Sequence, residues 1–72
     1  MELSRLRELS ISNLPEVEYQ LSQLSDIEVL KICRELGYRI PLNARKCQKQ
    51  MMYLEEMIYA YLIKYNAVYS EC

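Results

Sequence analysis

Four cations, Arg39, Arg45, Lys46 and Lys49, lie within eleven residues with no acid between them. Guanidinium and ammonium groups gathered in this way bind phosphate or carboxylate. A helix starting near residue 44 would carry three of them in its first turns. Unsatisfied N–H groups already make a helix N-terminus partly positive, so each cation there costs about a few tenths of a kcal/mol. The same arrangement is a ready anion or nucleic-acid contact. The competing reading is a solvated face whose repulsion is screened.

Catalysis finds little to work with. The chain has no His, no Gly-rich phosphate loop and no nucleophile elbow. Glu55 and Glu56 are adjacent; on a helix they point about 100° apart and cannot share a proton. They read as solvated surface. Ser25 and Asp26 fit a helix cap. Cys33, Cys47 and Cys72 form no CxxC pair, and without His they argue against a structural zinc site. No catalytic residue, cofactor or metal is expected, and the chain is not expected to be an enzyme.

With 72 residues the chain is one domain, 1–72, and a domain this short buries only about 60% of its unfolded surface. A hydrophobic fraction of 51% is high for that size and implies a dense core plus a surface meant for a partner. The net charge of −1 weakens nucleic-acid binding without removing it, because a local patch decides. No apolar run approaches about 18 residues, so no membrane span is expected. The Leu/Arg/Glu alternation at the start does not have the shape of a signal peptide. An odd cysteine count points to an intracellular, reducing compartment.

Four helical stretches position these groups. The first is weak: Leu3, Leu6 and Leu9 recur every three residues, and Ser10, Ser12 and Asn13 interrupt them. Asn13-Leu14-Pro15-Glu16 looks like the second start, with Asn13 as cap and Glu16 reaching back; Val17, Leu21 and Leu24 follow. Ser25-Asp26-Ile27-Glu28 is a capping box opening a third helix, with Ile27, Leu30, Cys33 and Leu36 inward. Gly37, the one glycine, should end it in the left-handed conformation. Tyr38 to Leu42 reads as an extended connector, because Pro41 pushes Ile40 out of helical geometry. Asn43 should cap a last helix running unbroken from Ala44 to about Asn66, with Cys47, Met51, Leu54, Ile58, Tyr61, Leu62 and Tyr65 on its core stripe. The last six residues are expected to fray.

That last helix carries a second apolar stripe. Met52, Tyr59 and Ile63 stand at i, i+7 and i+11, some 140° from the core stripe by helical geometry, with Tyr53 and Ala60 extending the area. Either the N-terminal helices cover it or it is a partner surface. Five of the seven tyrosines fall between residues 53 and 69, and tyrosine is favoured at interfaces. A protein partner on Met52, Tyr53, Tyr59 and Ile63 is expected, and the isolated chain should dimerise or need that partner for solubility.

Residues 24–51 resemble the SAP/LEM-type helix–extended-connector–helix motif. The shared order is a capped start, Leu24-Ser25-Asp26-Ile27-Glu28-Val29, an apolar helix ending Glu35-Leu36-Gly37, an extended link and a basic second helix. Gly37, Asn43, Cys47 and Met51 keep the SAP spacing without a gap, and Cys47 and Met51 stand where that family places core leucines. The resemblance covers about 40% of the chain. The connector lacks the usual second Gly, and the last helix runs far past the SAP end. SAP domains bind DNA and LEM domains bind a chromatin protein. The resemblance therefore implies DNA contact near Arg45, Lys46 and Lys49, and a nuclear location. The extension implies a protein-interaction variant, and the arrangement is similar to the C-terminal helical domain of the yeast Slx-type endonuclease scaffold, which docks a GIY-YIG nuclease subunit. The expected fold is all-α: a compact bundle of about four helices with a long C-terminal helix and a SAP-like core. The expected role is a non-catalytic interaction domain of a nuclear DNA-processing or repair assembly. A direct SAP-like DNA binder and a small viral or phage inhibitor are the alternatives.

Overall fold

Residues 2–69 are described by the computed structural model of the chain. Helix α1 spans Glu2–Ser12 and runs straight through the serines expected to interrupt it. Ser10 is fully buried, and its Oγ donates to the Arg7 carbonyl at 2.7 Å, so the hydroxyl is satisfied within its own helix. The buried set of α1 is Leu3, Leu6 and Ser10, with Leu9 half-buried. Asn13 alone separates α1 from α2, Leu14–Ser22. Its side chain caps nothing, and Glu16 accepts from Gln20 Nε2 at 3.2 Å instead of reaching back. The joint is held by main chain, with the Asn13 N–H donating to the Leu9 carbonyl and the Glu16 N–H to the Asn13 carbonyl.

Helix α3 spans Asp26–Glu35 and has both ends that the sequence predicts. Ser25 Oγ accepts from the Glu28 N–H and Glu28 Oε1 accepts from the Ser25 N–H, each at 3.3 Å. Gly37 closes the helix at φ +79°. The Tyr38 N–H donates to the Cys33 carbonyl and the Gly37 N–H to the Arg34 carbonyl, the paired bonds of a Schellman end. The inward face differs from expectation. Val29, Leu30, Ile32 and Cys33 are buried, while Ile27 is 50% exposed. A strict i+3 row drifts about 60° per step around a helix of 3.6 residues per turn, so Ile27 finishes nearly opposite Leu36.

The last helix is not unbroken from Ala44. Ala44–Lys46 form a 3-10 turn, Cys47 is extended at φ −119° and ψ 108°, and α4 spans Gln48–Tyr69. Asn43 makes no side-chain cap. Cys47 stands at the N-cap, its carbonyl accepting from the Met51 N–H at 3.1 Å. This half-buried thiol is therefore a hinge residue and not a turn of the core stripe. The break puts Arg45 and Lys46 on the 3-10 turn ahead of α4 and leaves Lys49 in the first turn of that helix. At the other end α4 continues past Asn66 to Tyr69, so residues expected to fray are helical; Cys72 lies outside the described residues.

The fold is an all-helical bundle of four α-helices, with no strand among the described residues. Helix α4 is its spine, touched by α1, α2 and α3. Met51, Leu54, Ile58 and Leu62 bury one side of it against Leu3, Leu6, Val17, Leu21, Val29, Ile32 and Cys33. Each such aliphatic side chain contributes roughly 1.5–3 kcal/mol on burial.

Candidate functional site

The basic residues of the connector gather around an open cleft. Arg45 and Lys46, on the 3-10 turn, line it together with Arg34 from α3, Tyr38, Ile40 and Leu42. Arg39 and Lys49 are exposed beside it and do not line it. The cleft is about 750 Å³ in volume, and its acidic member is Asp26. Arg34 escaped the sequence reading because it lies on a helix that otherwise reads as core. Its position, three residues before the glycine end, was the available signal: one turn of α3 brings it onto the side where the connector returns.

The back stripe divides. Met52, Tyr53 and Ile63 are 53%, 61% and 41% exposed, and Ala60 is exposed with them. Tyr59 is half-buried and packs on the core. It helps floor a groove between α2 and α4 with Leu21 and Met52, rimmed by Glu18, Glu55 and Glu56. Glu55 is therefore not simple solvated surface. Burial raises its carboxyl above the ordinary value, and the nearby Asp26 carboxylate adds to the rise.

The tyrosines toward the end of α4 have an internal task. Tyr61 Oη accepts from Arg7 Nε at 2.8 Å, and the Arg7 guanidinium lies 5.6 Å from the Tyr61 ring centroid and 5.7 Å from that of Tyr65. Tyr65 and Tyr69 are tilted against each other with centroids 4.4 Å apart. Asn66 Nδ2 donates to the Ser10 carbonyl at 2.6 Å. Tyr61, Tyr65 and Asn66 thus tie α1 to α4, and enrichment in tyrosine here reflects helix pairing as well as any interface.

Charge is segregated along the chain in a way the net value conceals. Residues 8–30 carry Glu8, Glu16, Glu18, Asp26 and Glu28 and no Lys or Arg. Residues 31–49 carry Lys31, Arg34, Arg39, Arg45, Lys46 and Lys49 against Glu35 alone. Among the described residues the ion pair formed is Arg5 with Glu2 at 2.6 Å, so neither charged set is neutralised internally. No group of three His, Cys, Asp or Glu side chains among the described residues could hold a metal ion, and no described helix is long and apolar enough to cross a membrane. No protein-family model, curated protein or solved structure matches the chain.

Proposed function

We propose that the chain is a non-catalytic docking module, and that the outward face of α4 carries its protein partner. One observation supports this above others: Met52, Tyr53 and Ile63 stay exposed on a helix whose opposite face is fully buried by the other three helices. The bundle's other helices pack on the inner face, and α2 reaches the outer stripe only at Tyr59 and the edge of Met52. An exposed aromatic and aliphatic strip on a rigid helix is the usual form of a groove-binding anchor. The resemblance to helix–extended–helix modules suggests the setting, a nuclear DNA-processing assembly in which a nuclease subunit is docked. Tyr53→Asp with Ile63→Asp tests it. The double variant should keep its helical circular dichroism and lose the protein captured by the parent chain from nuclear extract. Capture that survives the double change would remove α4 from the interface.

A second reading is direct nucleic-acid contact. It is favoured by the convergence of Arg34, Arg45 and Lys46 on one cleft from two separate elements.

A further inference from the structure

Two surfaces of the chain are opposite in sign, an acidic groove between α2 and α4 and the basic connector. Between α2 and α4, Glu18, Glu55 and Glu56 line a groove together with the apolar Leu21, Met52 and Tyr59, and no Lys or Arg lines it. Its volume of about 250 Å³ falls below the roughly 300–1,000 Å³ of small-molecule sites, so a protruding side chain suits it better than a metabolite. Among the described residues the ion pair formed is Arg5 with Glu2, so Glu18, Glu55 and Glu56 have no ion-pair partner in that range. The connector presents the opposite. Leu42 projects from it fully exposed, following Pro41 and followed closely by Arg45 and Lys46, with Arg39 also exposed. An apolar tip flanked by cations is what the groove would accept.

We propose that a second copy of this chain occupies the α2–α4 groove, placing its Leu42 tip on Leu21 and Met52 and its Arg39, Arg45 and Lys46 against Glu18, Glu55 and Glu56. The two sides of the contact use different residues, so it is isologous only where a two-fold axis makes the exchange reciprocal, and heterologous otherwise. It closes into a pair where each copy both gives and receives a tip, and otherwise extends into a chain. It borders the Tyr53–Ile63 strip assigned above to a protein partner and shares Met52 with it, so charge reversal at Glu18 and Glu56 tests this contact and Tyr53→Asp with Ile63→Asp tests the other.

Sedimentation velocity on the full chain up to millimolar concentration tests it. Self-association should be present at about 0.1 M salt and at least about tenfold weaker at about 1 M, as the Debye length falls from about 10 Å to about 3 Å. Glu18→Lys with Glu56→Lys should give a monomer, and so should Arg45→Glu with Lys46→Glu. All four positions are exposed, so both variants should keep the parent's circular dichroism. Mixing the two variants should restore association, because each then offers what the other's altered surface requires. A parent chain that stays monomeric in low salt overturns the proposal, even if a basic peptide binds the groove. So does association that is insensitive to salt, or that Tyr53→Asp with Ile63→Asp abolishes while the charge reversals leave it intact.

Discussion

Cys33 has no solvent exposure, and burial pushes its thiol above the ordinary value. The folded state therefore keeps the proton that the unfolded chain releases near pH ~8.5. Above that pH the unfolded state binds fewer protons than the folded state, so stability falls as pH rises, until the folded thiol also ionises. Tyr38 adds the same sign at higher pH; burial raises its phenol first, with Cys33 and Tyr61 contributing. Melting temperature should thus decline through the alkaline range. Alkylation mapped by peptide mass should modify half-buried Cys47 in the folded chain and Cys33 only on unfolding. Modification of Cys33 as fast as Cys47 under native conditions would contradict its place in the core. A buried, protonated thiol is a poor nucleophile, which fits a packing role for this residue.

At the scale of elements, the α1–α4 seam is held by polar groups more than a hydrophobic pattern would suggest. The Ser10 carbonyl lies in the last turn of α1, where helix carbonyls lack an intrahelical partner, and α1 has no basic residue in that turn. Asn66 supplies the missing donor from α4. Asn66→Ala should cost about 1–2 kcal/mol by stranding that carbonyl. For a domain of this size that is about 4–8 °C of melting temperature per kcal/mol. Asn66→Asp should cost more, because a carboxylate would face the carbonyl oxygen. Equal melting points for the two variants would show that the bond carries little.

Which elements were legible in the sequence follows from how local their causes are. The capping box at Ser25 and the Gly37 end are set by residues within one turn, and both stand as read. The α4 core residues Met51, Leu54, Ile58 and Leu62 also follow their stripe, because a long helix averages over its errors. Ile27 and Leu9 were placed by an i+3 row, whose drift becomes visible only once the packing face is known. Ser10 was read as an interruption because its burial depends on a back-bond to Arg7 and on a helix 56 residues away. The break at Cys47 leaves no mark in the residue pattern, because residues 44–66 contain neither Gly nor Pro. Of the candidate site residues, Met52, Tyr53 and Ile63 are exposed as a partner face requires. Tyr59 was displaced inward by α2, and Arg34 entered from an element that periodicity had assigned to the core.

Over the whole molecule, which measures 40 × 22 × 20 Å, charge separation matters more than net charge. A chain with a net charge of −1 would be dismissed as a nucleic-acid binder on the sum alone, yet its basic side chains are concentrated near one cleft. That concentration is small. Arg34, Arg39, Arg45 and Lys46 can neutralise about four phosphates, and the acidic stretch from Glu8 to Glu28 repels any backbone that extends beyond them. The slope of log K against log salt for duplex DNA should therefore be about −3 to −4, at roughly −0.9 per phosphate. Affinity should be weak at physiological salt. Fluorescence anisotropy with duplex and branched DNA at several salt concentrations measures both quantities, and Arg34→Ala or Arg45→Ala should each reduce the slope by about one. The same cations serve the proposed contact between copies, so DNA and self-association should compete: adding duplex should shift a self-associated chain toward the DNA-bound monomer. Tight binding that ignores salt would mean that recognition does not run through these cations. The chain would then be a direct DNA binder by another surface, and the docking assignment on α4 would lose its priority.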